Sequence, residues 1–108
     1  MARYLLQVAY TSEAWAAQVK TPQNRIEAVR PVVERLGGHL ECAYYAFGEY
    51  DVVAILEMPD NVSAAAFSLA AAAGGAAKAI KTTPLMTVEE GIEAMRKASG
   101  AGYRPPGS

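Results

Sequence analysis

The stretch from Leu40 to Met58 constrains this chain most. Two runs of strand-forming residues, Leu40–Phe47 and Asp51–Met58, flank Gly48-Glu49-Tyr50 and read as a β-hairpin. A three-residue connection pairs Phe47 with Asp51, Tyr45 with Val53, Ala43 with Ile55 and Glu41 with Glu57. The opposite face then holds Leu40, Cys42, Tyr44, Ala46, Val52, Ala54, Leu56 and Met58, without a charge. A two-residue loop would place Glu57 among Leu40 and Cys42, and burying a charge there is costly. The odd loop is therefore expected, with the uncharged face under helices.

The flanking segments complete a pattern. Tyr4–Tyr10 alternates Tyr4, Leu6, Val8 and Tyr10 with Leu5, Gln7 and Ala9, as a strand does. Thr11 and Ser12 are cap candidates for a short helix over Glu13–Val19. Thr21 followed by Pro22 marks a second helix start; Ile26, Val29, Val33 and Leu36 follow at helical spacing. Pro31 should kink that helix, and Gly37-Gly38 should end it. Pro59-Asp60-Asn61 starts a helix over about 62–73, closed by Gly74-Gly75. Ala77–Met86 reads as a fourth strand. Thr87 and Glu90 then form a capping box for a last helix to about Ala98. The order βαββαβ plus a terminal helix predicts an α+β, ferredoxin-like domain over 1–98, with a four-stranded antiparallel sheet and a flexible tail over 99–108.

Helices on one face leave the other sheet face uncovered. That face carries Leu5, Gln7, Ala9, His39, Glu41, Ala43, Tyr45, Phe47, Asp51, Val53, Ile55 and Glu57. Its apolar content calls for a cover, most simply a second copy. The helix through Ala64-Ala65-Ala66-Phe67-Ser68-Leu69-Ala70 is uncharged on every side, which also suits a subunit contact. Alanine's helix propensity accounts for the same composition without one.

Composition excludes several classes. With 10 Lys+Arg against 11 Asp+Glu in 108 residues, no bulk electrostatic case for a nucleic-acid partner exists. Arg25, Arg30 and Arg35 turn by about 140° from one to the next and form no basic stripe. One cysteine, Cys42, makes no disulfide framework, and one histidine, His39, makes no two-histidine metal site within a chain. The longest charge-free run, Asn61 to Ala77, falls short of the roughly 20 apolar residues of a membrane span. A cytoplasmic location with no membrane partner is the expectation.

Phe47-Gly48-Glu49-Tyr50-Asp51-Val52-Val53 resembles the signature of the GYD-domain family. Tyr10-Thr11, Leu36-Gly37-Gly38, Pro59-Asp60-Asn61 and Thr82-Thr83-Pro84-Leu85-Met86-Thr87 extend the similarity from about Tyr4 to Ala98. The resemblance implies a ferredoxin-like domain related to dimeric α+β barrels, whose members include small monooxygenases, isomerases and stress-response proteins. It transfers no catalytic residue. The motif also has a plain structural reading, in which Gly48 turns the chain, Tyr50 packs over the hairpin and Asp51 caps the turn amides.

Four residues are candidates for chemistry: His39, Glu41, Glu57 and Tyr45. Glu41 opposite Glu57 juxtaposes like charges, relieved by solvent, by a cation or metal, or by one carboxyl staying protonated as an acid beside a base. A solvated sheet end with splayed glutamates is the simpler account of the pair. Gln7, Tyr45, Phe47, Val53 and Ile55 could line an apolar small-molecule pocket or form an interface core. Cys42 and His39, three apart on a strand, should point to opposite faces, with Cys42 buried. Trp15 reads as packing, and Gly74-Gly75 before Lys78 lacks the helix start of a phosphate loop. The expected protein is a small homo-oligomer binding an apolar or aromatic metabolite between sheets. No cofactor or metal is called for, and proton transfer by the four candidates is open. A non-catalytic assembly or regulatory module is the alternative, and a metal held by His39, Glu41 and Glu57 is a third.

Overall fold

Alternation of side chains organises the structure, a computed structural model that describes residues 1–107. Strand β1 (Ala2–Tyr10) buries Tyr4 and Leu6 and leaves Leu5 and Gln7 half-covered. It is followed by α1 (Ser12–Lys20), α2 (Arg25–Arg35), β2 (His39–Tyr45), β3 (Val52–Met58), α3 (Asn61–Ala73), β4 (Ala77–Leu85) and α4 (Val88–Ser99). The strands form one antiparallel sheet in the order β2-β3-β1-β4. This is the α+β, ferredoxin-like arrangement read from the sequence.

The helix starts follow hydroxyl, amide and carboxylate caps. The Thr11 hydroxyl accepts the Ala14 N–H at 3.1 Å. Asp60 accepts from Ser63 N–H at 2.8 Å, and this bond holds its carboxyl below the ordinary range. Thr87 and Glu90 complete the capping box on α4, at 3.1 and 2.9 Å. The start expected at Thr21-Pro22 is wrong. Asn24 caps α2 instead, accepting from Ile26 and Glu27 N–H at 3.1 and 3.2 Å, while Thr21 N–H closes α1 on the Ala17 carbonyl. One amide oxygen serving two donors outweighs a threonine followed by proline. Helix α2 runs unbroken through Pro31.

The hairpin register also differs from the expected one. Tyr45 pairs with Val52, Tyr44 with Val53, Ala43 with Ala54 and Cys42 with Ile55; beyond an irregularity at Glu41, Leu40 pairs with Leu56 and His39 with Glu57. The turn is closed by Ala46 N–H donating to the Asp51 carbonyl at 2.8 Å, so the connection is the even loop Phe47–Tyr50. An even loop sets Glu57 on the helix-covered face only in an uninterrupted ladder. A β-bulge at Glu41 takes up one residue, which returns Leu40 to the helix-covered face and leaves Glu57 outside. Ala43 and Tyr45 consequently face the helices, and Cys42 and Tyr44 face outward.

Below the helices, Val33, Leu56 and Met58 are fully buried and join Tyr4, Leu6, Leu40, Ala54, Ala64 and Phe67 in the core. Each large side chain so buried contributes about 1.5–3 kcal/mol. Gly38 lets the chain pass directly over β3, because a Cβ there would overlap Met58 Sδ and the Glu57 carbonyl oxygen. Helix α4 buries no residue. Val88, Ile92 and Met95 form an exposed stripe along it. The molecule is 58 Å long with a radius of gyration of 17.4 Å, above the roughly 13 Å of a compact chain this size.

Candidate functional site

The helix-covered face of the sheet is incompletely filled. Helix α2 lies over β2 and α3 over β4, and between them a cavity of about 290 Å³ remains above the central strands. Its floor is Leu6, Val8, Val52, Ala54 and Leu56; its walls are Ile26, Val29 and Val32 of α2 and Phe67, Ala70 and Ala71 of α3. Small residues make the gap. Ala28, Ala70, Ala71, Gly74, Ala76 and Ala77 stand where bulkier side chains would close the layer. Tyr10 and Arg25 are the polar side chains of the lining.

The Tyr10 end is rigidly built. The Tyr10 ring meets the Trp15 indole edge to face, with centroids 5.3 Å apart at 82°. Asp51 Oδ2 accepts both Tyr10 N–H at 2.8 Å and Trp15 Nε1–H at 3.2 Å, and Asp51 N–H donates to the Val8 carbonyl at 2.8 Å. Asp51 thus ties the β2–β3 connection to the end of β1 and to α1, rather than capping the amides of its own turn. Burial pushes the Tyr10 hydroxyl above its ordinary pKa, and neighbouring Tyr45 adds to this while Arg25 opposes it. Tyr10 therefore stays a protonated donor at neutral pH.

The opposite face carries the carboxylates. Arg3 Nε donates to Glu41 Oε1 at 2.9 Å and Arg3 Nη2 lies 3.3 Å from Glu57 Oε1. The Glu41 hydrogen bond, then the charges of Glu41 and Glu57, raise the arginine's pKa further. The cation that relieves the glutamate repulsion is therefore Arg3. The signal was available, since β1 beside β3 sets Arg3 directly opposite Glu57. His39 sits across from Glu57 on its other side. Among the described residues, no group of three His, Cys, Asp or Glu side chains is placed to hold a metal ion, His39, Glu41 and Glu57 included.

The structure divides the sequence-selected residues. His39, Glu41 and Glu57 share the outer face with Gln7, Val53 and Ile55, which also neighbour Leu5. Tyr45 lies on the helix side, beside Asn24, Glu27 and Arg30, so it cannot join the carboxylates in one site. Phe47 is fully exposed in the connection, outside β2. Cys42 is half-buried on the outer face and not in the core, and the bulge brings it to the same face as His39. The cavity and the polar pair Tyr10 and Arg25 went unread, because Leu6, Val8, Val52 and Ala54 look like ordinary core.

Sheet, bulge and cavity together define a small ferredoxin-like α+β protein with a hollow between its sheet and its helices. The GYD domain matches residues 4–95, and the chain belongs to that family. No curated protein and no solved structure matches it. No helix among the described residues is long and apolar enough to cross a membrane.

Proposed function

We propose that this chain is a cytoplasmic homo-oligomer that binds a small apolar or aromatic metabolite. The cavity of about 290 Å³ under α2 and α3 carries the reading. A rigid floor, apolar walls and two polar side chains have the form of a small-molecule site. The site expected from sequence lay between the sheets of two copies. The cavity is on the other face, so we assign the ligand to it and the outer face to self-association. Leu5, Tyr44, Val53 and Ile55 form the apolar centre of that face beside Gln7, with Arg3, His39, Glu41 and Glu57 at one end. Proton transfer by His39, Glu41 or Glu57 would need a ligand between sheets, and Tyr45 is out of their reach. The supported activity is binding rather than turnover.

A second reading, a non-catalytic assembly module, is favoured by α4. Its stripe of Val88, Ile92 and Met95 is left exposed by the described residues. Native mass spectrometry of protein purified without added ligand separates the readings. A defined oligomer retaining a small molecule supports ligand binding. A bare oligomer that also binds no aromatic probe supports the assembly module alone. A monomer removes the assembly claim from both.

A further inference from the structure

We infer that the ligand of the cavity is an anion: an apolar body of about two fused rings bearing one carboxylate-type group, held at the mouth by Arg25 and Tyr10. This rests on the assignment of the ligand to the cavity and adds its chemical class. The size follows from volume. A cavity of roughly 150 Å³ takes one benzene, and this one is about 290 Å³.

The charge follows from Arg25. It is half-buried in the lining, and among the described residues no carboxylate lies within ion-pairing distance of it. Arg30 of the same helix, by contrast, is paired with Glu27 at 3.3 Å. The bond Arg25 does make, to Gln23 Oε1, is long at 3.4 Å and neutral. Its position is also unfavourable for the helix. Arg25 is the first residue of α2, where the helix dipole disfavours a cation. A guanidinium kept at such a place, beside an apolar hollow and free of a protein counter-charge, is suited to a bound anion. The Tyr10 hydroxyl, without a hydrogen-bond partner among the described residues, supplies a second donor at the same cavity. Exposed Ala28, Gly74 and Ala76 mark the opening, so the charged head stays at the solvent edge while the rings enter.

The test compares 2-naphthoate with its neutral isostere 2-naphthamide, by fluorescence titration of the full chain at low salt. The wild type should bind the naphthoate at least about tenfold more tightly. Arg25→Gln should abolish that preference by weakening naphthoate binding far more than naphthamide binding, and its fold should survive because the dipole gains from losing the cation. Tyr10→Phe should reduce the preference in part. Ala71→Phe, which fills the cavity from α3, should abolish binding of both probes, with circular dichroism confirming the fold. Equal affinities in the wild type, both lost in Ala71→Phe, overturn the anion inference and leave cavity binding standing. Binding of neither probe, or binding indifferent to Ala71→Phe, overturns the cavity assignment itself.

Discussion

Replacing Asp51 tests how the family motif works. Its carboxylate accepts two protein donors, Tyr10 N–H at 2.8 Å and Trp15 Nε1–H at 3.2 Å. A hydrogen bond to a charged acceptor contributes about 1.5–3 kcal/mol. The longer bond and the half-exposed site lower the pair's total, so Asp51→Ala should cost about 2 kcal/mol. For a domain of this size that is a fall of roughly 8–16 °C in Tm. Asp51→Asn keeps a neutral acceptor and should cost about 1 kcal/mol. Urea unfolding at fixed protein concentration measures both, with Trp15, the one tryptophan, as reporter. The coupling is read from Asp51→Ala, Trp15→Phe and the double variant by circular dichroism, and should be about 1 kcal/mol. A loss below about 0.5 kcal/mol for Asp51→Ala, the range of an ordinary surface change, would refute the claim that Asp51 clamps the connection to β1 and α1.

Gly38→Ala forces a Cβ against Met58 Sδ and the Glu57 carbonyl, and should cost about 1–3 kcal/mol in urea unfolding. Leu56→Ala, at 1% exposure, should cost about 2–5 kcal/mol in the same assay; a cost under 1 would mean the core is centred elsewhere. Ile55→Arg puts a charge at the centre of the outer sheet face, and sedimentation velocity should show the proposed oligomer of the wild type reduced to a folded monomer. Asp60 and Glu90 have carboxyls held below their ordinary range by the Ser63 and Thr87 amides. A depressed folded-state pKa gives stability that is complete above the unfolded value and is lost as pH falls through the folded one. Unfolding free energy should therefore be level from pH 7 to about 5 and drop below about 4, less steeply in Asp60→Asn. A rise between pH 5 and 3 would contradict the caps.

Strand identity was legible because β1 alternates its faces and β3 is rich in β-branched residues, and Thr87 and Asp60 announced their helices by side-chain chemistry confined to four residues. Register was not, because a bulge leaves no mark in a hydrophobic pattern. The bulge moved Cys42, Tyr44 and Tyr45 to the faces opposite those expected, and with Tyr45 went one member of the candidate site. Arg3 was passed over because it lies 38 residues from Glu41 in the chain. Two glutamates facing each other were a demand for a cation, and the neighbouring strand was the place to look. The cavity was hidden for the opposite reason. Core residues and cavity floor have the same composition, and the informative signal was what opposed them: alanines and a glycine around the edge of a layer whose floor carries leucines and valines.

Helix α4 carries one more consequence. Helices of fewer than about 12–15 residues are marginal in water by themselves, and α4 has 12, with Val88, Ile92 and Met95 exposed and none of its residues buried. Its capping box and the Glu93–Arg96 pair add only tenths of a kcal/mol to about one each. A partner seated on that stripe would therefore add to the order of α4. If the cover is another subunit, the helical content of the protein is a function of its concentration: dilution melts α4 before the sheet unfolds, and its amides exchange at a rate that reports the association equilibrium.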